Sequence, residues 1–581
     1  MALSVLLLMS IILVFVRAWL VNTGAGRQIN CTDCFTWAVI NADARLFLIL
    51  AGLLWAGGWF ARLQLYRLFH LAAAILLFAA IADVMVYQRF NTRLFLVEAT
   101  NYVQYYDVIW DQLISGAGGL GLTIGLALLI LAVAIGLQWI GPIRDPTSRR
   151  SLVGIMVLAG VTASLPLAPD YVNSWAYRNV LAANLASSDR QRYTDETTQR
   201  IQETAVPPQC IGGLDSPERR NVVMVIIESW SPYHSQLESG IHDWTPALDR
   251  LAARGQRFTA FHAGGFSTNE GLVGILAGVP IWVPFVHLVQ ATPFLYQWGI
   301  TETLPVVFNK AGYHTAFLTS GPLSFAEKDR WLRDIGFAEL EDGTHPHYQN
   351  KPRFSFGAPA DNELYARALS WQSAARTPYF LVVETVTTHQ PYIDPVTRKH
   401  SLEAAIRFAD QAAADYVHQL DAMGFFEDGL LVLLSDHRAM TPMLAEELDA
   451  LGTAAYSRVP MLILDPRRPP GEIDALLQQS DLVPSFSHWL GLGTCLDSHD
   501  DLVFAPGTNA GRCTFHARGA ERGLMDVICP EGQALVRLSG DSTHFLDPAN
   551  LSPGRQQALL DFIARERITA LSRHEAHESR D

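Results

Sequence analysis

Five apolar stretches, at about residues 4–22, 46–61, 68–87, 117–140 and 151–168, fill the first third of the chain and limit what it can become. Each is near the length that crosses roughly 30 Å of hydrocarbon. Buried helices of a soluble core are the alternative, but a series of this kind is read here as a bundle of about five transmembrane helices over residues 1–168. No A-x-A-like cleavage site follows the first stretch, so it reads as an uncleaved span rather than a removable signal. The short connections carry Arg62 and Arg67, then Arg144, Arg149 and Arg150, which assigns them to the cytoplasmic face. An odd number of spans then puts everything after about residue 169 outside.

Composition agrees with a membrane portion joined to a globular one: 49% of the 581 residues are hydrophobic and 17% charged. A formal charge of -14, with no Lys/Arg run to offset it, excludes a polyanion such as nucleic acid as partner. Cys31, Cys34, Cys210, Cys495, Cys513 and Cys529 all fall on the side assigned to the oxidising compartment. Their connectivity is open. Cys31 and Cys34 form a C-x-x-C pair, either redox-active or part of a structural loop; no thioredoxin-like pattern surrounds it.

Residues 169–220 read as a polar, Pro-containing juxtamembrane linker whose start can lie along the lipid surface or form an ordinary helix. The loop 89–116 is rich in Tyr, Phe and Trp, as expected at headgroup level. From 221 to 581, β-branched runs alternate with helical patterns: NVVMVIIE, TPALDRLAARG, AFLTS, YFLVVETV, a long helix near 402–422, LLVLLSD and VPMLIL. This alternation predicts an α/β domain with a mainly parallel sheet and helices on both faces.

In such sheets ligands bind beyond the carboxyl ends of the strands, so polar residues that end apolar runs are the first candidates. VMVIIESW ends in Glu228, and LLVLLSDHR places Asp436 beside His437. Each alone fits a solvated turn. Together they offer two oxygens and a nitrogen, a set that suits Mn²⁺ or Zn²⁺ better than Ca²⁺. HAGGFSTNEGLVGILAGVP adds Ser267 and Thr268 at the start of a helical stretch, where a hydroxyl serves as an N-cap or as a nucleophile.

Beyond these residues, TPALDRLAARGQRF (245–258), VFNKAGYHTAF (307–317), SDH (435–437) and SDLVPSF (480–486) resemble the sulfatase branch of the alkaline phosphatase superfamily. With five N-terminal spans and a connector, nearly the whole chain resembles the lipoteichoic acid synthase and glucan phosphoglycerol transferase group. That resemblance implies an alkaline phosphatase/sulfatase-like domain over 221–581. It makes Thr268, three residues before Gly271, both nucleophile and metal ligand with Glu228, Asp436 and His437, and Mn²⁺ the usual cation, with Zn²⁺ or Mg²⁺ as alternatives.

The same resemblance assigns His389, in TTHQPY, to the phosphate ester or to leaving-group protonation. In LSFAEKDRWLRDIGF, Ala326 and Lys328 stand where lipoteichoic acid synthases place a Trp and an Arg against glycerol phosphate. Lys328, PHYQN and SDHRAM look more like the glucan phosphoglycerol transferases. STNEG lacks the Pro and Arg of the sulfatase nucleophile motif, which argues against sulfate ester hydrolysis. No cysteine lies between 211 and 494, unlike the Cys-rich phosphoethanolamine transferases of lipid A.

The expectation is an enzyme of a bacterial inner membrane whose catalytic domain faces the periplasm or cell exterior. It would move glycerol phosphate from phosphatidylglycerol, through a phosphothreonine, to a glycan acceptor. A phosphoethanolamine transferase or phosphodiesterase of the same fold is a second reading. A non-catalytic envelope scaffold is a third.

Overall fold

The computed structural model describes residues 2–22, 35–60, 65–90, 93–95, 146–165, 177–187, 193–215, 217, 219–283, 294, 298–441, 443–507, 509, 511–518 and 523–578. The chain divides into two compact units, one holding the apolar helices and the described residues up to 187, the other holding those from 193 to 440 and from 446 onward.

Four of the five apolar stretches fall on helices: α1 (Ala2–Val21), α2 (Thr36–Trp59), α3 (Tyr66–Phe90) and α4 (Pro146–Ser164). Thr36–Trp59 and Tyr66–Tyr87 are long and apolar enough to cross a bilayer. The 117–140 stretch, Cys31, Cys34 and nearly all of the aromatic loop 89–116 lie outside the described residues. Among the described residues of this unit, Arg17 binds Asp43 and the carbonyls of Tyr177 and Arg178, and Arg93 binds Asp83. Pairing is what makes ionised groups tolerable among apolar helices.

The second unit is built on an eight-stranded sheet. Its strands are β1 (Asn221–Ile227), β2 (Gln256–Phe258), β3 (His314–Thr319), β4 (Glu339–Glu341), β5 (Tyr379–Glu384), β6 (Gly429–Ser435), β7 (Met461–Leu464) and β8 (Gly471–Ile473), in the spatial order β8-β2-β7-β6-β1-β5-β3-β4. β6, β1, β5, β3 and β4 run parallel, whereas β7 is antiparallel to both of its neighbours. The sheet is therefore mixed rather than uniformly parallel. Four apolar residues in a row have no periodicity that encodes direction, so VPMLIL marks a strand without saying which way it runs.

The central strands are buried on both faces, which explains their continuous apolar runs. Val222, Met224 and Ile226 pack on one side with Phe380, Val382, Val432 and the helical residues Leu272, Val273 and Leu276. Val223, Val225 and Ile227 pack on the other with Leu364, Tyr416 and Val417. After the main sheet, β9 (Thr514–Ala517), β10 (Leu524–Cys529), β11 (Gly532–Arg537) and β12 (His544–Asp547) form an antiparallel sheet. Disulfides join Cys210 to Cys495 and Cys513 to Cys529.

Candidate metal centre

Register brings the first two acids together. Ile227 in β1 lies opposite Ser435 in β6, so the next residues, Glu228 and Asp436, leave adjacent strand tips side by side. Both are buried, as is His437. A ligand atom from each of the three lies within 4.8 Å of the others. His437 Nε2 is 3.3 Å from Asp436 Oδ2 and 3.6 Å from Glu228 Oε1. Its Nδ1 donates to the Arg438 carbonyl at 2.8 Å, which turns the Nε2 lone pair toward the carboxylates.

Ser229 completes this corner. It adopts φ 58°, in the left-handed region that costs a non-glycine residue roughly 1–2 kcal/mol. The turn lets its amide donate to Asp436 Oδ1 (2.8 Å) and its hydroxyl to Glu228 Oε1 (2.7 Å).

Thr268 opens a short helix, α5 (Thr268–Leu272). Ser267 is the N-cap residue, and Glu270 folds back to accept from the amides of Phe266 (2.6 Å) and Ser267 (3.2 Å). With the capping position taken by Ser267, the Thr268 hydroxyl faces the cluster, 3.0 Å from Glu228 Oε2 and 3.3 Å from His437 Nε2. Gly271 allows this approach: a Cβ there would sit 2.3 Å from the Asp436 carbonyl oxygen. Gln479 ties the parts together, donating to the carbonyls of Ser435 (3.0 Å) and Asp436 (2.6 Å) and accepting from Gly264 N–H at 3.1 Å.

Electrostatically the cluster is frustrated. Burial and the Glu228 charge push Asp436 up to about 8. Burial also works against the Glu228 charge, but His437 and His389 hold that carboxyl down at about 2. Asp436 Oδ2 is buried and accepts no hydrogen bond among the described residues. Two buried carboxylates, one of them with an oxygen that accepts no hydrogen bond, and an imidazole nitrogen make a donor set that fits a divalent cation of the Mn²⁺ or Zn²⁺ type.

His389 lies in the loop after β5. Its Nδ1 donates to the Gln390 carbonyl at 2.7 Å, and burial lowers its pKa while the Glu228 charge pulls the other way. The loop is braced from two sides. Asp361 accepts from the amides of Val386 (3.0 Å) and Thr387 (3.1 Å), and Thr388 donates to the Glu228 carbonyl. Lys328 meets Glu384 rather than standing free, with Nζ 2.7 Å from Oε1, and Ala326 is fully buried.

Thus Glu228, Thr268, Asp436 and His437 converge, and His389 is close enough for its charge to act on Glu228. Sequence reasoning passed over Ser229, Gln479, Asp361 and Glu384. For Gln479 one signal existed, a glutamine directly ahead of the SDLVPSF segment.

Residues 220–492 match the family model described as sulfatase. This chain carries a sulfatase-family domain. Among relatives of that domain, lipoteichoic acid synthase 1 of Bacillus subtilis is 22% identical over 320 residues, covering 50% of this chain and 50% of the relative. Lipoteichoic acid synthase of Staphylococcus aureus is 20% identical over 346 residues, covering 54% and 51%. The matches thus span about half the length of these curated relatives. A solved protein of the alkaline phosphatase superfamily from Vibrio parahaemolyticus superposes with a TM-score of 0.54 at 18% identity, over 68% of this chain and 98% of its own. The sulfatase-family domain therefore has the alkaline phosphatase superfamily fold and resembles the lipoteichoic acid synthase group.

Proposed function

We propose that the chain is a membrane-anchored phosphoglycerol transferase that takes its head group from phosphatidylglycerol and passes it to a glycan outside the membrane. One observation carries this reading. The Thr268 hydroxyl is within hydrogen-bonding reach of both Glu228 and His437, while the neighbouring Ser267 fills the helix-cap position.

Glu228, Asp436 and His437 would hold a divalent cation, which supplies positive charge against a developing alkoxide and against phosphoryl oxygens. Thr268 Oγ gives up its proton and forms the new bond to phosphorus as the bond to the diacylglycerol oxygen breaks, and that oxygen takes up a proton, so the step is proton-neutral overall. His389, with Nδ1 committed to a carbonyl, has Nε2 available to move this proton. In the second step the acceptor hydroxyl loses its proton and bonds to phosphorus, the Thr268 Oγ–phosphorus bond breaks, and Thr268 Oγ takes up a proton to restore the free hydroxyl.

Two helices apolar enough to span a bilayer support anchoring, and the five-span topology with the domain outside belongs to the same proposal. Anchoring suits a reaction whose donor and diacylglycerol product both stay in the lipid. The test is diacylglycerol release from phosphatidylglycerol vesicles by the full chain with Mn²⁺. Release that persists in Thr268→Ala contradicts the assignment.

A further inference from the structure

Beyond His389, the loop between β5 and the next helix, α6 (Leu402–Ala422), reaches a tip that the chemistry above does not use. Val396 stands there 77% exposed, more than any other large hydrophobic residue among those described. Thr397, Arg398, Lys399 and His400 beside it are exposed as well. One exposed aliphatic side chain is ordinary on a protein surface. This one is set in a built turn with a charge of its own.

Asp394 is buried and accepts from the amides of Val396 (3.0 Å) and Thr397 (3.1 Å) and from the Thr397 hydroxyl (2.5 Å). Its own amide donates to the Lys399 carbonyl and its carbonyl accepts from Arg398, which closes the turn. The two legs meet where Ile393 bridges His400 and the Ser401 amide donates to the Tyr392 carbonyl at 2.8 Å. The Tyr392 amide donates in turn to the His389 carbonyl at 3.0 Å, so the turn stands on the loop that carries His389. Arg398 adopts φ 60°. Glycine is the unstrained residue for that conformation, so the turn itself does not account for an arginine there.

Charge sets this tip apart from the rest of the chain. The whole sequence has a formal charge of -14, yet the exposed ionised groups at the tip are Arg398 and Lys399. Asp394 is committed to the turn, and Glu403, the acid in the first turn of α6, is paired with Arg407 at 2.8 Å. An aliphatic side chain beside two cations suits a bilayer with anionic head groups, where the apolar group enters the acyl boundary and the cations stay among phosphates. A soluble polyanion would use the cations and leave Val396 in water. The chain's own helices Thr36–Trp59 and Tyr66–Tyr87, long and apolar enough to cross a bilayer, also favour lipid as the occupant.

We propose that the 392–401 turn is a membrane-docking loop, with Val396 entering the head-group layer of an anionic bilayer and Arg398 and Lys399 binding lipid phosphates. Docking holds the loop that carries His389 at the lipid surface. This inference rests on the membrane-anchored reading and adds the surface that meets the lipid.

The test places the full chain in nanodiscs whose lipids carry a nitroxide quencher at head-group level, with a fluorophore on Val396→Cys or, for reference, on Met423→Cys. Met423 is 52% exposed and caps α6, a helix roughly 30 Å long that runs back from the tip toward the start of β6. Wild type treated with the same dye supplies the labelling background. In membranes of phosphatidylcholine with phosphatidylglycerol, quenching at 396 should exceed that at 423 by about threefold, and the excess should fall by at least about twofold when phosphatidylglycerol is left out. Arg398→Glu combined with Lys399→Glu should remove the excess and raise the KM for bilayer phosphatidylglycerol about tenfold while kcat holds. With a short-chain phosphatidylglycerol dissolved as monomers, the same variant should match wild type. Equal quenching at 396 and 423, an excess that ignores phosphatidylglycerol, or a charge-reversed variant that keeps the wild-type quenching and KM overturns the proposal. A chain that does not enter nanodiscs overturns the anchored reading, and this inference with it. A chain that enters, is quenched at 396 and releases no diacylglycerol overturns the transferase reading alone.

Discussion

The amide of Ser229 donates to Asp436 Oδ1 at 2.8 Å, so the residue that follows one buried carboxylate holds the other in place. The same residue's hydroxyl holds Glu228 Oε1. Ser229 therefore fixes one oxygen of each acid, while the second oxygen of Glu228 meets the Thr268 hydroxyl and that of Asp436 accepts no hydrogen bond among the described residues.

Replacing Ser229 with Gly should separate stability from binding. Glycine removes the left-handed strain and should stabilise the fold by roughly 1 kcal/mol, while loss of the hydroxyl should weaken Mn²⁺ binding by about 10–100-fold. Thermal melting and titration calorimetry read the two effects. A variant that is more stable and binds Mn²⁺ as tightly as wild type would show that the hydroxyl does not order Glu228.

Gly271→Ala should damage the centre from the opposite side. The added methyl falls on the Asp436 carbonyl, and both groups belong to rigid backbone. We expect a loss of about 1–3 kcal/mol by chemical denaturation, together with weaker Mn²⁺ binding.

The raised Asp436 carboxyl predicts a pH dependence with a definite sign. Its folded value of about 8 lies above the ordinary value of 3.8, so the folded cation-free protein holds a proton that the unfolded chain releases. Cation-free stability should fall as pH rises from about 4 toward about 8. Cation binding must displace this proton, so Mn²⁺ affinity should rise with pH up to about 8, by roughly tenfold per unit if one proton is lost. Calorimetry in buffers of different ionisation enthalpy counts the protons. Affinity that is flat from pH 6 to 8 would contradict the coupling.

His389→Gln should leave cation binding intact, since His389 is outside the Glu228, Asp436 and His437 group. Transfer should fall by about 10²–10⁴-fold if the imidazole moves the leaving-group proton. A smaller loss that appears only in KM would assign His389 to binding alone.

How much of this was legible in the sequence depends on what each feature requires. Strand tips were legible because long apolar runs stop at Glu228 and at Asp436-His437, and a doubly buried strand must stop where ionised groups begin. The spacing of Thr268 to Gly271 became meaningful once Gly271 was seen against the Asp436 backbone. The direction of β7 was not legible, because four consecutive apolar residues read the same either way. Ser229, Gln479 and Glu384 were missed for one common reason. Each acts through a partner more than 40 residues away, at Asp436, Ser435 and Lys328 respectively, and register rather than local pattern brings those partners near.

The central claim is that Thr268 carries the transferred group. Its most direct test is the mass of the peptide containing Thr268 after the full chain has been mixed with Mn²⁺ and phosphatidylglycerol and quenched with acid. The account predicts a gain of one glycerol phosphate less one water, located on Thr268 and absent from Ser267. An unmodified peptide recovered while diacylglycerol accumulates, or the same gain on Ser267, would contradict it.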